Sequence, residues 1–400
     1  MNKILNVYLG NKRVGRLIER DGQNMRFVYD SDKVSPISFA MPTTTTTYYH
    51  KATYAFFENL LPEGDILVQI ARSKGVSANN PFSLLTVIGE DCAGAISLHA
   101  GELSLDELPP KVLTDEEISA IVSQNFAARL KYQTGTRLSL AGAQDKTTVI
   151  YEEGKYFIPS FSSPSTHIIK FDNERFENLL LNELFCTTLA RKLKLPTSTM
   201  TIDYRNGVPF LLIKRFDRAE ENGQIRRIHQ EDFCQLLSIS SKNKYQKEGG
   251  PSFQQSAELL KKYSKNQARD ILLLAKILVF NFLIGNCDYH GKNLSLLHST
   301  TSLTPFYDLV STTVYPVIEQ EMAMAINGKY KIDQITKEDI IQEFTKWGLK
   351  GSQLLALITN DFRNITEVVS TLTSKEEYRQ GIIMLNDLSE FIKNQYHKLI

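Results

Sequence analysis

Eight residues, Asn286 to Asn293 (NCDYHGKN), set a carboxylate, Asp288, five positions before an amide, Asn293. Phosphoryl transfer to a hydroxyl uses such a pair: an Asp accepts or orients the hydroxyl, and an Asn after four intervening residues holds a metal ion at the phosphates. Fifteen residues past Asn293, after a strand, the turn STTS and a second strand, FYDLVS supplies a further carboxylate, Asp308. The hairpin lets both ligands converge, and one carboxylate, one amide and nucleotide phosphates make an oxygen-rich set suited to Mg²⁺. Taken singly, Asp288, His290 and Asp308 are ordinary loop and turn residues. As an ordered set they favour phosphotransfer. Zinc hydrolysis competes for Asp288-x-His290, but His298 is the nearby additional histidine and no third ligand stands at a metal-binding spacing.

A phosphotransferase also needs a cation on the phosphates and a cover over them. THIIK, Thr166 to Lys170, ends an apolar strand in a lysine able to reach α- and β-phosphates, although a lone strand-end lysine is more often simply solvated. LSLAGAQDK is a turn of small residues, Ser139, Leu140, Ala141, Gly142 and Ala143, that brings backbone N–H groups towards phosphate. It matches neither G-x-x-x-x-G-K-[ST] nor G-x-G-x-x-G and is weak alone. FLLIKRFD, Phe210 to Asp217, is positioned to link a strand-rich lobe to a helical one, where kinase-like folds offer backbone donors and acceptors to adenine.

The elements that must position these residues are readable in outline. Short alternating runs from Ile4 to Tyr29 predict a small antiparallel sheet. YAFFENLLPEGDILVQIARSKG predicts two short helices broken at Pro62, and PFSLLTVIGEDCAGAISLH a helix, a Gly-rich turn and a strand. Thr114 and Glu117 have capping-box spacing for a helix to about Asn125. RLSLAG, DKTTVIYEE, KYFIPSF and STHIIKF read as strands, FENLLLNELFCTTLARKL as a helix, and TSTMTIDYRNGVPFLLIKRF as a hairpin around Asn206-Gly207. Beyond Gln230 the pattern is helical nearly to the end, with caps expected at Thr336/Asp339 and Ser374/Glu377 and one hairpin between Leu294 and Asp308. The fold class is α+β, two-lobed and protein-kinase-like: a β-rich cap over 1–105, the rest of the strand-rich lobe over 106–230, and a helical lobe over 231–400.

Composition narrows the function. Four hundred residues with 42% hydrophobic and 23% charged residues form an ordinary folded chain of more than one core. Forty-six Lys plus Arg against 45 Asp plus Glu leave no net field to hold a polyanion, which argues against general nucleic-acid binding. Cys92, Cys186, Cys234 and Cys287 are scattered, as expected of reduced, buried thiols in a cytoplasmic protein. The N-terminus lacks the continuous apolar core of an export signal. The most apolar stretch, Ile271 to Gly285, is interrupted by Lys276 and Asn281 and is shorter than the roughly 20 residues needed to span a bilayer, so it reads as a buried helix with no membrane role.

SLAGAQDKT, STHIIK, IKRFDR, HQEDFCQ, KYQKEGGPS, GNCDYHGKN and FYDLVS, in this order, resemble HipA-family serine/threonine kinases, and FFENLLPEG with PFSLLTVIGEDCAGA resembles the family's first subdomain. The resemblance covers nearly the whole chain. It implies a toxin kinase of a toxin–antitoxin pair using ATP and Mg²⁺. Asp288 would be the catalytic Asp, Asn293 and Asp308 the Mg²⁺ ligands, and Lys170 the phosphate-binding lysine. Gln230, His290 and Tyr307 would border the nucleotide, Phe216 would offer hinge backbone, and Ser139 would be the autophosphorylated serine. Lys214 departs from the acidic residue expected beside adenine. The resemblance further implies a HipB-like helix-turn-helix antitoxin, operator DNA bound mainly through that antitoxin, and a cytosolic protein target, an aminoacyl-tRNA synthetase by family analogy. The alternative is a small-molecule phosphotransferase of related fold.

Overall fold

The computed structural model describes residues 3–20, 24–103, 110–123, 145–172 and 175–400. Its contacts divide the chain into two compact units, Met1–Phe171 with Thr199–Lys242 and Leu297–Ser299, and Asp172–Ser198 with Asn243–Leu296 and Thr300–Ile400. The first is strand-rich and the second mainly helical, as the α+β reading expects.

In the first unit, antiparallel strands Thr47–Tyr48, Asn24–Tyr29, Lys12–Arg20, Lys3–Leu9 and Ile96–His99 form one sheet in that order. Alternation turns Met25, Phe27 and Tyr29 inward, where they meet Phe56 and Phe57 of helix His50–Glu58, Ile70 of Gly64–Lys74 and Leu84 of Pro81–Ile88. The break between the first two helices falls around Pro62, where expected. A second antiparallel sheet runs Lys155–Phe157, Lys146–Glu152, His167–Phe171, Val208–Lys214, Met200–Arg205. It packs Val149, Ile169, Phe210 and Leu212 with Ile118 and Ile121 of helix Asp115–Ser123. The capping box there is closed: Glu117 N–H donates to Thr114 Oγ1 at 3.1 Å, and Thr114 N–H to the Glu117 carboxylate at 3.0 Å.

In the second unit, helix Gln267–Ile284 is buried over most of its length. Its two polar interruptions are accommodated differently. Lys276 reaches Asp361 at 2.7 Å, and Asn281, fully buried, donates to the Ile277 carbonyl at 2.9 Å. No helix among the described residues is long and apolar enough to cross a membrane. All four cysteines are buried and unbridged.

Two local expectations need correction, and one hairpin stands where no element was expected. A hairpin, Glu321–Ile326 with Lys329–Lys331, interrupts the region read as helical. Asn327 and Gly328 turn it with φ of 54° and 82°, the left-handed pair that tight hairpins require. A second unanticipated hairpin, Arg218–Glu221 with Gln224–Arg227, turns at Asn222-Gly223 in the same way. Ser374 does not begin a helix. It closes Ile365–Thr373, its hydroxyl donating back to the Thr371 carbonyl at 2.9 Å, and the chain continues as a 3-10 turn.

Candidate active site

The loop carrying Asp288 is built from the end of the buried helix. Gly285 ends that helix in the left-handed region at φ 68°, and a Cβ there would stand 2.2 Å from Thr313 Oγ1, so only glycine fits. The close approach lets the Gly285 carbonyl accept from Thr312 N–H at 2.9 Å, while Thr312 Oγ1 accepts from Cys287 N–H at 3.0 Å. Asn286 then ties three segments together. Its Nδ2 donates to Asn281 Oδ1 at 2.9 Å and to the Asp308 carbonyl at 3.3 Å, and its Oδ1 accepts from Asp288 N–H at 3.2 Å. At the loop's other end Tyr307 donates to the Lys292 carbonyl at 2.7 Å, and Tyr289 to the Asn293 carbonyl at 3.1 Å.

The segment 286–293 is therefore fastened to 307–308 at two points, which brings Asp288, His290, Asn293, Tyr307 and Asp308 into one constellation. Asn293 is buried and Asp308 half-buried. Asp308 adopts φ 54°, an uncommon conformation of the kind that persists where surrounding contacts enforce it. An amide and a carboxylate are hard oxygen donors that suit Mg²⁺ completed by phosphate and water. Among the described residues no three His, Cys, Asp or Glu gather to hold a metal by themselves. Asp288 is exposed and accepts a 2.6 Å hydrogen bond from Tyr245 Oη. His290 is buried with its ring edge-on to Tyr245 at 5.4 Å. Burial pushes the neighbouring Cys287 thiol up to about 11, with Asp288 and Glu321 adding to the effect. It stays protonated and is no nucleophile.

The first unit holds the other expected residues. Lys170 is 4% exposed on the central strand of the second sheet, and its direct cross-strand partner is Lys146. Directly opposed residues share a face, so the two lysines stand on the same side of the sheet. Gln230 lies half-buried on strand Gln230–Asp232, and its Oε1 is buried with no hydrogen-bond partner. Phe216 lies in the turn after Val208–Lys214, between two residues of a buried ionic network, while Lys214 is exposed. Ser139, Leu140, Ala141, Gly142 and Ala143, and the expected strand RLSLAG, lie outside the described residues.

That ionic network was not foreseen. Arg215 grips Asp217 with Nε at 2.9 Å and Nη2 at 2.7 Å. Arg218 reaches Asp91 at 3.1 Å, and Ser165 donates to Asp91 at 2.8 Å. Arg227 Nη2 lies 3.6 Å from Asp91. Gly94, at φ 72°, donates its N–H to Asp217 at 2.7 Å, and a Cβ on it would stand 2.9 Å from Gln230 N. The GEDCAGA turn is thus a built socket for IKRFDR. Against the burial that opposes ionisation, the arginines hold Asp91 and Asp217 below the ordinary carboxylate range. Tyr245, Asn286 and this network are what sequence reasoning missed. The only signal for them was their place inside the motifs.

A strand-rich unit, a helical unit and this Asp/Asn/Asp constellation define the protein-kinase-like class of α+β fold. Family models match the chain over residues 5–99 as a HipA N-terminal domain and over 138–374 as a HipA-like C-terminal domain. A putative kinase, Y4mE, of Sinorhizobium fredii is 34% identical over 384 residues, covering 92% of this chain and 91% of its own. The serine/threonine-protein kinase toxin HipA of Shewanella oneidensis is 30% identical over 408 residues, 96% and 91% respectively. The Shewanella oneidensis HipA structure solved with HipB and operator DNA superposes with a TM-score of 0.85 at 26% identity, covering 98% of this chain and 96% of that one. The chain belongs to the HipA family of serine/threonine kinase toxins.

Proposed function

We propose that this chain is an ATP-dependent serine/threonine protein kinase that acts as the toxin of a toxin–antitoxin pair. The observation that carries the proposal is the double fastening of the Asp288 loop to Asp308, through Asn286 and through Tyr307. In the proposed reaction the substrate hydroxyl gives its proton to Asp288 as its oxygen bonds to the γ-phosphorus, and the bond from that phosphorus to the bridging oxygen breaks to leave ADP. Lys170 neutralises phosphate charge, with Gln230, His290, Tyr307 and the Phe216 backbone bordering the nucleotide. Asn293 and Asp308 would hold Mg²⁺, which supplies positive charge to the β- and γ-phosphate oxygens.

The solved relative's assembly supports a small HipB-like helix-turn-helix antitoxin as partner, with operator DNA engaged mainly through that antitoxin. The target is a cytosolic protein, an aminoacyl-tRNA synthetase being the class that family analogy favours, and its modification would arrest growth. Ser139 is proposed as the site of self-inactivation. A phosphate there adds about −1.5 to −2 charge beside those of ATP.

Incubating the purified chain with radiolabelled ATP and Mg²⁺, alone and with cell extract, tests the reading. Label on protein that disappears with Asp288→Asn is expected. Label confined to small molecules would make this a small-molecule phosphotransferase, and no label at all would sink the proposal. Peptide mass spectrometry should find phosphate on Ser139 in the active enzyme and none in the Asp288→Asn control.

A further inference from the structure

The sequence reading gave the loop KYQKEGGPS no chemical role, yet it supplies the hydroxyl that touches Asp288. The loop is rigidly built. A Cβ on Gly250 would stand 2.5 Å from the carbonyl oxygens of Asn243 and Lys244, and Gly249 and Gly250 N–H donate to the Gln246 and Tyr245 carbonyls at 3.1 and 2.9 Å. The following Pro251 packs so closely on Gly291 of the catalytic loop that a Cβ there would fall 2.4 Å from Pro251 Cγ.

The Glu321–Ile326 strand, part of the hairpin absent from the sequence expectation, fixes the two loops relative to one another. Its N–H groups at 323 and 325 point along the same edge, as residues two apart on a strand do. Ala323 N–H donates to the Cys287 carbonyl at 2.8 Å, one residue before Asp288. Ala325 N–H donates to Gln246 Oε1 at 2.8 Å, one residue after Tyr245. One strand edge thus grips both neighbours of the Tyr245–Asp288 contact, and Lys247 pairs with Glu321 at the head of the same strand. The charged and titratable groups around the contact are His290, Lys244 over the Tyr245 ring at 5.4 Å, Cys287, and the Lys247–Glu321 pair.

We infer that Tyr245 is a positioning residue for phosphoryl transfer: its hydroxyl occupies Asp288 Oδ1, fixing the carboxylate so that Oδ2 faces the incoming substrate hydroxyl. This rests on the kinase reading above. A base whose orientation is set before substrate arrives needs no search at the moment of reaction, and misplacement on the order of 1 Å costs about 10²-fold. The role is not that of a phosphoacceptor, because a loop clamped on three sides cannot withdraw to release the base.

The test is Tyr245→Phe, which keeps the ring and removes the hydroxyl, assayed with the full chain, ATP and Mg²⁺ beside wild type, Asp288→Asn and the double variant. Expected are a kcat lower by about ten- to a hundredfold with KM for ATP unchanged, and no further loss when the substitution is added to Asp288→Asn. Wild-type turnover with an unaltered kcat in Tyr245→Phe would overturn the inference while leaving the kinase reading intact. So would a parallel rise in KM, an additive loss in the double variant, or phosphate found on Tyr245 itself. A wild-type chain that transfers no phosphate removes the kinase reading and this inference with it.

Discussion

The Arg215–Asp217–Arg218–Asp91 network and the Asp288 loop hold carboxylates in opposite ways. In the network both Asp residues are buried and faced by guanidinium groups, with Arg215, Arg218 and Arg227 all directed at Asp91. Opposite charges face one another throughout, three guanidinium groups against two carboxylates, and the product is a fixed junction between the GEDCAGA turn and the strand-rich core. In the loop, Asp288 is held by a tyrosine hydroxyl and by its own N–H on Asn286. Asp308 is placed through its carbonyl, which accepts from Asn286 Nδ2. A carboxylate that must take a proton, or share a cation with a substrate, is better oriented by neutral groups, because a guanidinium in contact would both occupy its lone pairs and lower its basicity. Charge used to build is paired with its opposite, and on the proposed kinase reading the charge used to react is aimed.

The sharpest way to break that contrast is to remove charge from each region without changing volume. Asp288→Asn and Asp308→Asn should each lower phosphotransfer by about 10³-fold or more with an unchanged urea midpoint. Normal turnover in either variant would remove that residue from the site.

Asp217→Asn should do the reverse, leaving a buried guanidinium short of its counter-charge at a cost of about 3–5 kcal/mol, read as a fall in the midpoint of chemical unfolding. Because the folded state holds Asp91 and Asp217 below their ordinary value of 3.8, the stability they contribute is full above that pH and is lost only in stronger acid. An Asp217→Asn protein as stable as wild type would mean the network is ornamental and the contrast false.

What the sequence allowed to be read follows the same division. The loop is legible because its parts are local: Asp288, His290 and Asn293 fall within six residues, and the turn that returns the chain to Asp308 is short. Tyr245 was not, since its bond to Asp288 joins residues 43 positions apart. Asp91 was not either, because its arginine partners lie beyond position 214 and a buried Asp has the same letter as a solvated one. The 321–331 hairpin was missed for another reason. EMAMAI is written in good helix formers, and tertiary hydrogen bonds from Ala323 and Ala325 override that propensity. The Asn327-Gly328 pair was the available signal. Ser374 shows that a capping spacing names a position without its polarity, since a serine can close a helix as well as open one.

Lys170 and Lys146 test whether the strand-rich unit also contains a reacting charge. They are cross-strand partners, but Lys170 is 4% exposed and Lys146 only partly buried. Lys170→Ala should cost about 10²-fold in turnover and Lys146→Ala clearly less. Equal losses would mean that the pair acts together on the phosphates.

The smallest effect belongs to a cluster that follows neither rule. His229 Nε2 donates to the Ile37 carbonyl at 2.7 Å. Glu231 Oε1 accepts from Phe39 N–H at 2.8 Å and lies 2.9 Å from His298 Nε2. Burial favours the neutral forms, lowering His229 to about 3 and His298 to about 4, and raising Glu231 to about 7. Between about pH 4.5 and 6.5 the unfolded chain therefore binds two protons at the histidines that the folded chain refuses, while the folded chain binds one at Glu231 that the unfolded chain lacks. The net of one proton makes this cluster's contribution to stability fall with acid by about 1.4 kcal/mol per pH unit. His167, lowered to about 4 by burial and by Lys214, adds its own proton in the same window, so the informative quantity is the difference between wild type and variant. Glu231→Gln should steepen the pH dependence by one proton and His298→Gln should flatten it by one. Identical slopes in all three proteins would mean that His298 and Glu231 stay an ion pair throughout, which would place this cluster with the buried network after all.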